Sequence, residues 1–270
     1  MSSGKYSKYS EEWMELYRKG LSCYNISRRY GCSKSPVYDI IKNSGLMRPS
    51  KNMYRFKYST SDAYFDIIDS EEKAYFLGLL LSDGCIYRPE RATQRVQLQI
   101  TALDAYIVDR LATILNRKSY RCPARGRTKE SSCLTVTSDH MVEVLRSYGF
   151  TDRKSTDNHE SKVFDHVPPE LMHHFIRGIF DGDGCISVRN KTGKISGLYM
   201  MGNLQDMLRI SNVLSCIGCT IVAPRSHSSI YRLSWYSKED ITIIMNYLYC
   251  DATIYLDRKK NRFDTFINTK

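Results

Sequence analysis

The sequence predicts an α+β protein: a small all-α segment followed by an αββαββα arrangement present twice, a pseudo-twofold body with two antiparallel sheets. Three observations carry this. Helical and alternating patterns recur in the same order over residues 70–150 and 151–270. A short motif, Gly-x₄-Asp-Gly-Cys-Ile, recurs with its members 100 positions apart, as Asp83 and Asp183 show. The first 45 residues carry three short helical patterns punctuated by glycine.

In the first segment, Ser10 precedes Glu11 and Glu12, a cap and an acidic first turn that complement the helix dipole, and Gly20 ends this helix. Residues 22–30 form a second helix closed by Gly31, and Ser33 caps a third over residues 34–43 that stops before Gly45. Leu16, Ile26, Val37, Ile40 and Ile41 can bury a common core. Two helices joined by a Gly31 turn, the second bearing Lys34, Ser35, Tyr38 and Lys42, make a helix-turn-helix pattern over residues 1–45. It resembles the DNA-binding domains of resolvases and invertases, and the resemblance implies DNA contact through those four residues. Residues 46–69 read as a basic linker, with Arg48, Lys51, Arg55 and Lys57.

The first copy reads as helix 71–82, strands 85–88 and 95–101, helix 103–116, strands 119–125 and 132–138, and helix 140–148. The second reads as helix 169–181, strands 185–189 and 196–202, helix 204–217, strands 220–225 and 230–236, and helix 238–249. Alternation assigns faces: Val96, Leu98 and Ile100 point to the core, while Arg95, Gln97, Gln99 and Thr101 face outward. Likewise Tyr231, Leu233 and Trp235 oppose Arg232, Ser234 and Tyr236.

Charge points to the partner. The chain holds 40 Lys+Arg against 29 Asp+Glu, a net charge of +11 that suggests a polyanion, nucleic acid before anionic membrane. Residues 1–60 contribute 12 basic and 4 acidic residues (+8), residues 61–150 contribute 12 and 12 (0), and residues 151–270 contribute 16 and 13 (+3). A hydrophobic share of 42% excludes a mostly disordered chain. No apolar run approaches the roughly 20 residues of a spanning helix. The opening MSSGKYSKYS lacks the apolar core of a secretion signal, so the chain is expected in the cytoplasm or wherever its DNA resides, with no membrane partner. Nine cysteines then read as packing thiols, and the lone CxxC, Cys216 to Cys219, has no second pair at zinc-finger spacing.

The chemistry lies in the repeated motif. Gly78 and Ser82 stand four apart, as do Gly178 and Gly182, so each helix offers a stripe free of bulky side chains. Packing stripe on stripe places Asp83 and Asp183 at neighbouring helix ends. Adjacent carboxylates repel, and a divalent cation removes the conflict; hard oxygen ligands on a basic protein suggest Mg²⁺-assisted phosphodiester hydrolysis. A calcium loop from Asp181 is excluded, because its fifth and twelfth positions would be Cys185 and Thr192.

These paired segments, FLGLLLSDGCI and IRGIFDGDGCI, resemble the two LAGLIDADG motifs of single-chain homing endonucleases, and the likeness extends from Glu71 to Phe266. The resemblance implies two saddle-shaped sheets astride a long double-stranded DNA site and motif helices at the central interface. It also implies Mg²⁺ or another divalent metal held by Asp83 and Asp183, and one cut in each strand by a single-chain monomer. Leu81 departs from the motif where the second copy has Asp181, at a position that is not the metal ligand. The repeated Asp-Arg-Lys, ending at Lys154 and Lys259, matches the region of the family's catalytic lysines, with Lys260 an alternative. Gln97, Gln99, Arg95 and Arg232 on the strands, and Arg125, Arg189 and Arg225 at strand ends or hairpins, are the expected DNA contacts. The rival reading is a non-cleaving regulator or an intron-splicing maturase with intron RNA as a partner; two carboxylates facing phosphate favour the enzyme.

Overall fold

The structure is a computed structural model and describes residues 6–19, 21–47, 61–87, 93–126, 129–151, 162–188 and 195–268. Residues 1–57 and 58–270 form two compact units.

In the first unit, α1 (Ser10–Arg18), α2 (Cys23–Arg29) and α3 (Lys34–Asn43) close on Trp13, Ile26, Val37 and Ile41, all fully buried. Leu16 and Ile40 only pack against this core. Trp13 is its centre, ringed by Tyr6, Tyr9 and Tyr30 at 5.7–5.9 Å between ring centroids. Ser22 caps α2 by accepting from the Asn25 N–H at 3.1 Å. The expected caps at Ser10 and Ser33 do not form: Ser10 is the first helical residue, its hydroxyl donating to Ser7 O, and the Ser33 side chain makes no cap bond. Gly31 turns the chain at φ +61°, where a side chain would strain the backbone.

The second unit contains the repeat. Its first half runs α4 (Glu71–Asp83), β1 (Gly84–Tyr87), β2 (Arg95–Thr101), α5 (Ala105–Ile114), β3 (Tyr120–Cys122), β4 (Ser131–Thr137) and α6 (Asp139–Ser147). The second half runs α7 (Met172–Asp183), β5 (Gly184–Val188), β6 (Ile195–Gly202), α8 (Leu204–Cys216), β7 (Arg225–His227), β8 (Ile230–Trp235) and α9 (Lys238–Tyr249). The sheets have matching orders, β1-β2-β4-β3 and β5-β6-β8-β7, and every neighbouring pair is antiparallel. The expected α+β repeat is therefore present. Val96, Leu98, Ile100, Leu233 and Trp235 are buried as the alternation requires.

Three details differ from expectation. Residues 220–224 are not strand, so β7 is shorter and starts later. A tenth helix, α10 (Asp257–Asn268), follows the second half and carries the Arg258-Lys259-Lys260 cluster. The segment read as linker, 46–69, ends inside the second unit: Phe65 and Ile68 are buried in its core, and the Tyr148 hydroxyl donates to Phe65 O at 2.7 Å. Residues 48–60 lie outside the described residues. Among the described residues no helix is long and apolar enough to cross a membrane.

Candidate metal centre and nucleic-acid interface

Helices α4 and α7 form the middle of the second unit and run side by side in the same direction. Gly78 lies against Phe175 and Ile179, Gly178 against Tyr75 and Leu79, and Gly182 against Ser82. A Cβ built on Gly178 would overlap Tyr75 O and stand 2.7 Å from Leu79 N and 3.0 Å from Gly78 Cα. Only glycine permits main chains this close. The expected small-residue stripes are therefore in contact.

Each helix ends on its aspartate and passes directly into a strand: Gly84 N–H bonds to Leu80 O and Gly184 N–H to Phe180 O. Both Asp83 and Asp183 are exposed. A Cβ on Gly182 would lie 2.6 Å from Asp83 Oδ2, so the first carboxylate touches the second helix one residue before Asp183. Asp83 opens into a groove of about 470 Å³ with Gln97, Gln99, Thr101 and Lys129, and Asp183 into one of about 170 Å³ with Ser82, Asn203 and Asp206. Both acids sit where the helix dipole is negative, which disfavours a carboxylate and favours a cation.

Lys259 answers that field at the end of α7. It is 3% exposed, and its ammonium donates to Asp181 O at 2.6 Å, Gly184 O at 2.7 Å and Phe180 O. Burial pulls its pKa down to about 8, against the opposing pull of Asp181 and, more weakly, Asp83. The sequence suggests a catalytic lysine here; in the structure all three N–H donors of Lys259 are committed to main-chain carbonyls, so it anchors the helix end that carries Asp183. Lys260 pairs with Asp264 at 2.5 Å. Lys154 lies outside the described residues.

Asp181, the position that departs between the copies, is fully buried. It accepts from the Tyr249 hydroxyl at 2.5 Å, the Tyr75 hydroxyl at 2.9 Å and Leu256 N–H at 2.8 Å. Burial raises its pKa, opposed by the nearby Lys259 charge and these hydrogen bonds. Tyr75 comes from α4, so this cluster joins the two halves. A second buried network does the same. Arg177, with no exposed surface, donates to Glu71 at 2.6 Å, Ile254 O at 2.9 Å, Leu248 O at 2.8 Å and His174 Nδ1 at 2.8 Å. Burial, then the Arg177 charge, lowers His174 to about 4. Sequence reasoning missed both networks, whose members look like ordinary surface residues and meet across 68–106 positions. Ligand atoms of His173, His174 and Asp251 fall within 4.8 Å of one another, but the Arg177 guanidinium on His174 Nδ1 opposes a cation there.

The predicted contact residues divide among three surfaces. Lys34, Ser35, Tyr38 and Lys42 are exposed on α3, opposite buried Val37 and Ile41. On the first sheet, Gln97 and Gln99 share one face with Arg95; Gln99 donates to Ser131 Oγ at 2.8 Å and Gln97 to Cys133 Sγ at 2.9 Å. Arg125 is exposed beyond β3. On the second sheet, Arg232 and Arg225 stand opposite each other on adjacent strands. Arg189 lies outside the described residues.

No protein-family model matches the sequence, and no curated protein matches it. Solved structures do. The homing endonuclease I-WcaI bound to its DNA recognition sequence superposes with a TM-score of 0.51 at 12% identity, over 80% of this chain and 94% of that one. The fold is that of the LAGLIDADG homing endonucleases. I-LtrWI, a LAGLIDADG homing endonuclease bound to target DNA, aligns at 10% identity with a TM-score of 0.49, over 73% of this chain and 88% of that one. Within the LAGLIDADG fold, the close glycine-mediated packing of α4 on α7 and the two matching sheets are what the sequence motif led us to expect.

Proposed function

We propose that this protein is a single-chain, metal-dependent DNA endonuclease that cuts both strands of a long duplex site. The observation that carries this reading is the pairing of Asp83 and Asp183 at the ends of two parallel helices in glycine contact. The residues fit a hard divalent cation such as Mg²⁺: exposed carboxylate oxygens, each at the negative end of a helix. When bound there, Mg²⁺ supplies Lewis-acid polarisation of phosphate and an activated water. The chain's own residues do the rest. Asp83 and Asp183 would hold the cation, their carboxylates carried to the same end of the helix pair. Lys259 fixes the last turn of α7, and the Tyr75–Asp181–Tyr249 cluster keeps the two helices in register. Gln97, Gln99, Arg225 and Arg232 bind the duplex on the sheets, and the +8 segment of residues 1–60 adds phosphate contacts outside the cut site.

The test is incubation of the purified chain with a library of long duplexes and Mg²⁺, repeated with Asp83→Asn and Asp183→Asn. The expected result is site-specific cutting by the unmodified chain, lost in either variant while binding remains. Specific binding without cutting under any divalent metal would refute cleavage and leave a non-cleaving binder.

A further inference from the structure

The two halves share topology, so positions with the same place in each sheet can be compared directly. On the third strand of each sheet, just before a buried leucine (Leu134 or Leu233), stand Cys133 in β4 and Arg232 in β8. Across the strand pairs, Cys133 lies opposite Gln99 and Tyr120, while Arg232 lies opposite Met201 and Arg225. The same row is therefore Gln99, Cys133, Tyr120 in one half and Met201, Arg232, Arg225 in the other.

The second row is poorly arranged for an isolated protein. Two arginines directly opposite on neighbouring strands repel. Among the described residues neither has a carboxylate partner, whereas Arg121 on the first sheet is neutralised by Asp109 at 2.7 Å. Arg232 is also held in place: its guanidinium lies over the Tyr199 ring at 5.2 Å, that ring meets Tyr236 edge-on at 5.9 Å, and its Nε is buried without a hydrogen-bond partner. A stacked, unneutralised, outward-facing guanidinium suits a pair of acceptors on one base edge, which in the major groove means guanine O6 and N7. The first row lacks a cation, and its neighbouring amides Gln97 and Gln99 suit adenine N6 and N7.

We infer that the second sheet reads guanine through Arg232 and Arg225, while the first reads adenine through Gln97 and Gln99, so the two half-sites differ in base type. This rests on the DNA-binding part of the proposed function and deepens it.

The experiment is selection of a randomised duplex library by binding alone, in EDTA, so that cleavage plays no part. It uses the full chain and its Arg225→Lys, Arg232→Lys and Gln97→Ala/Gln99→Ala variants. Guanine should be enriched in one half-site and adenine in the other. Each Lys variant keeps the charge but loses the fork, so guanine preference should fall roughly tenfold in that half alone, with the salt dependence of binding kept. The double Gln variant should relax only the adenine half. Unchanged guanine preference in both Lys variants overturns the inference, as does a uniform loss of affinity across all sequences, which marks phosphate contacts. If the unmodified chain selects no sequence, both this inference and the proposed function fall. If it selects as described but does not cut with Mg²⁺, only the cleavage reading falls.

Discussion

Gly178→Ala should disrupt the helix pair that carries Asp83 and Asp183, on which the proposed metal centre depends. The added methyl would overlap Tyr75 O and stand 2.7 Å from Leu79 N and 3.0 Å from Gly78 Cα. All three obstacles are backbone atoms of a helix whose residues from Ala74 to Leu80 are buried, so no side chain can swing aside. Relief requires the helices to part by about 1 Å, because a methyl needs roughly 3.3 Å or more from a carbonyl oxygen. Overpacking of this kind costs about 1–3 kcal/mol, and the backbone-to-backbone clash points to the upper end. The parting also separates Asp83 from Asp183, because each is the last residue of its helix. Urea unfolding should show a midpoint shift matching about 3 kcal/mol, and cleavage should fall more than DNA binding does. Gly202→Ala is the control: the nearest obstacle to its methyl is the flexible Met207 Cε at 2.9 Å, and the expected cost is below about 1 kcal/mol. Equal stability of the Gly178→Ala and Gly202→Ala proteins, or undiminished cutting by the former, would refute the assignment of the helix contact as the element that sets the acids.

Three further perturbations probe the buried networks. Glu71→Ala leaves the Arg177 guanidinium without its carboxylate and frees the Thr253 and Ile254 N–H groups, so denaturation should show a loss of about 3–5 kcal/mol. His174 should make stability fall with acid. Its folded pKa of about 4 lies below the ordinary 6.5, so the unfolded chain takes up the proton first and stability present above pH 6.5 is lost between pH 6.5 and 4. At about 1.4 kcal/mol per pH unit the ceiling is about 3 kcal/mol, and solvent at the ring edge brings it to about 2. His174→Asn keeps an acceptor for Arg177 and should flatten that slope in urea melts recorded at pH 7 and 4.5. Lys259→Met keeps the aliphatic stem but leaves the carbonyls of Phe180, Asp181 and Gly184 without their donor; thermal unfolding should show a loss of about 2–3 kcal/mol.

What the sequence revealed and what it hid follow from the same cause. Gly78, Gly178 and the strand faces could be read because their signal is local spacing, and a stripe or an alternation means the same thing wherever it occurs. Helix α10 could not: DRKKNRFDTFIN is highly charged, and it docks through Phe263 and a lysine whose burial depends on carbonyls 75–79 positions earlier. Phe65 and Ile68 were hidden by the basic stretch before them. Arg177 and Glu71 each resemble solvated surface until the fold brings them together across 106 positions. Repetition offers a partial remedy. Where the copies agree, as at Gly78 and Gly178, they report what the shared fold requires. Where they disagree, they mark what one half does alone. Leu81 against Asp181 looked like a minor lapse in a motif, yet Asp181 joins α4 to α7 through Tyr75, a tie that a leucine cannot make. Cys133 against Arg232 is a disagreement of the same kind on the outer face. A change at such a position cannot serve packing common to both halves, so the chemistry of the residue present is the guide to its role.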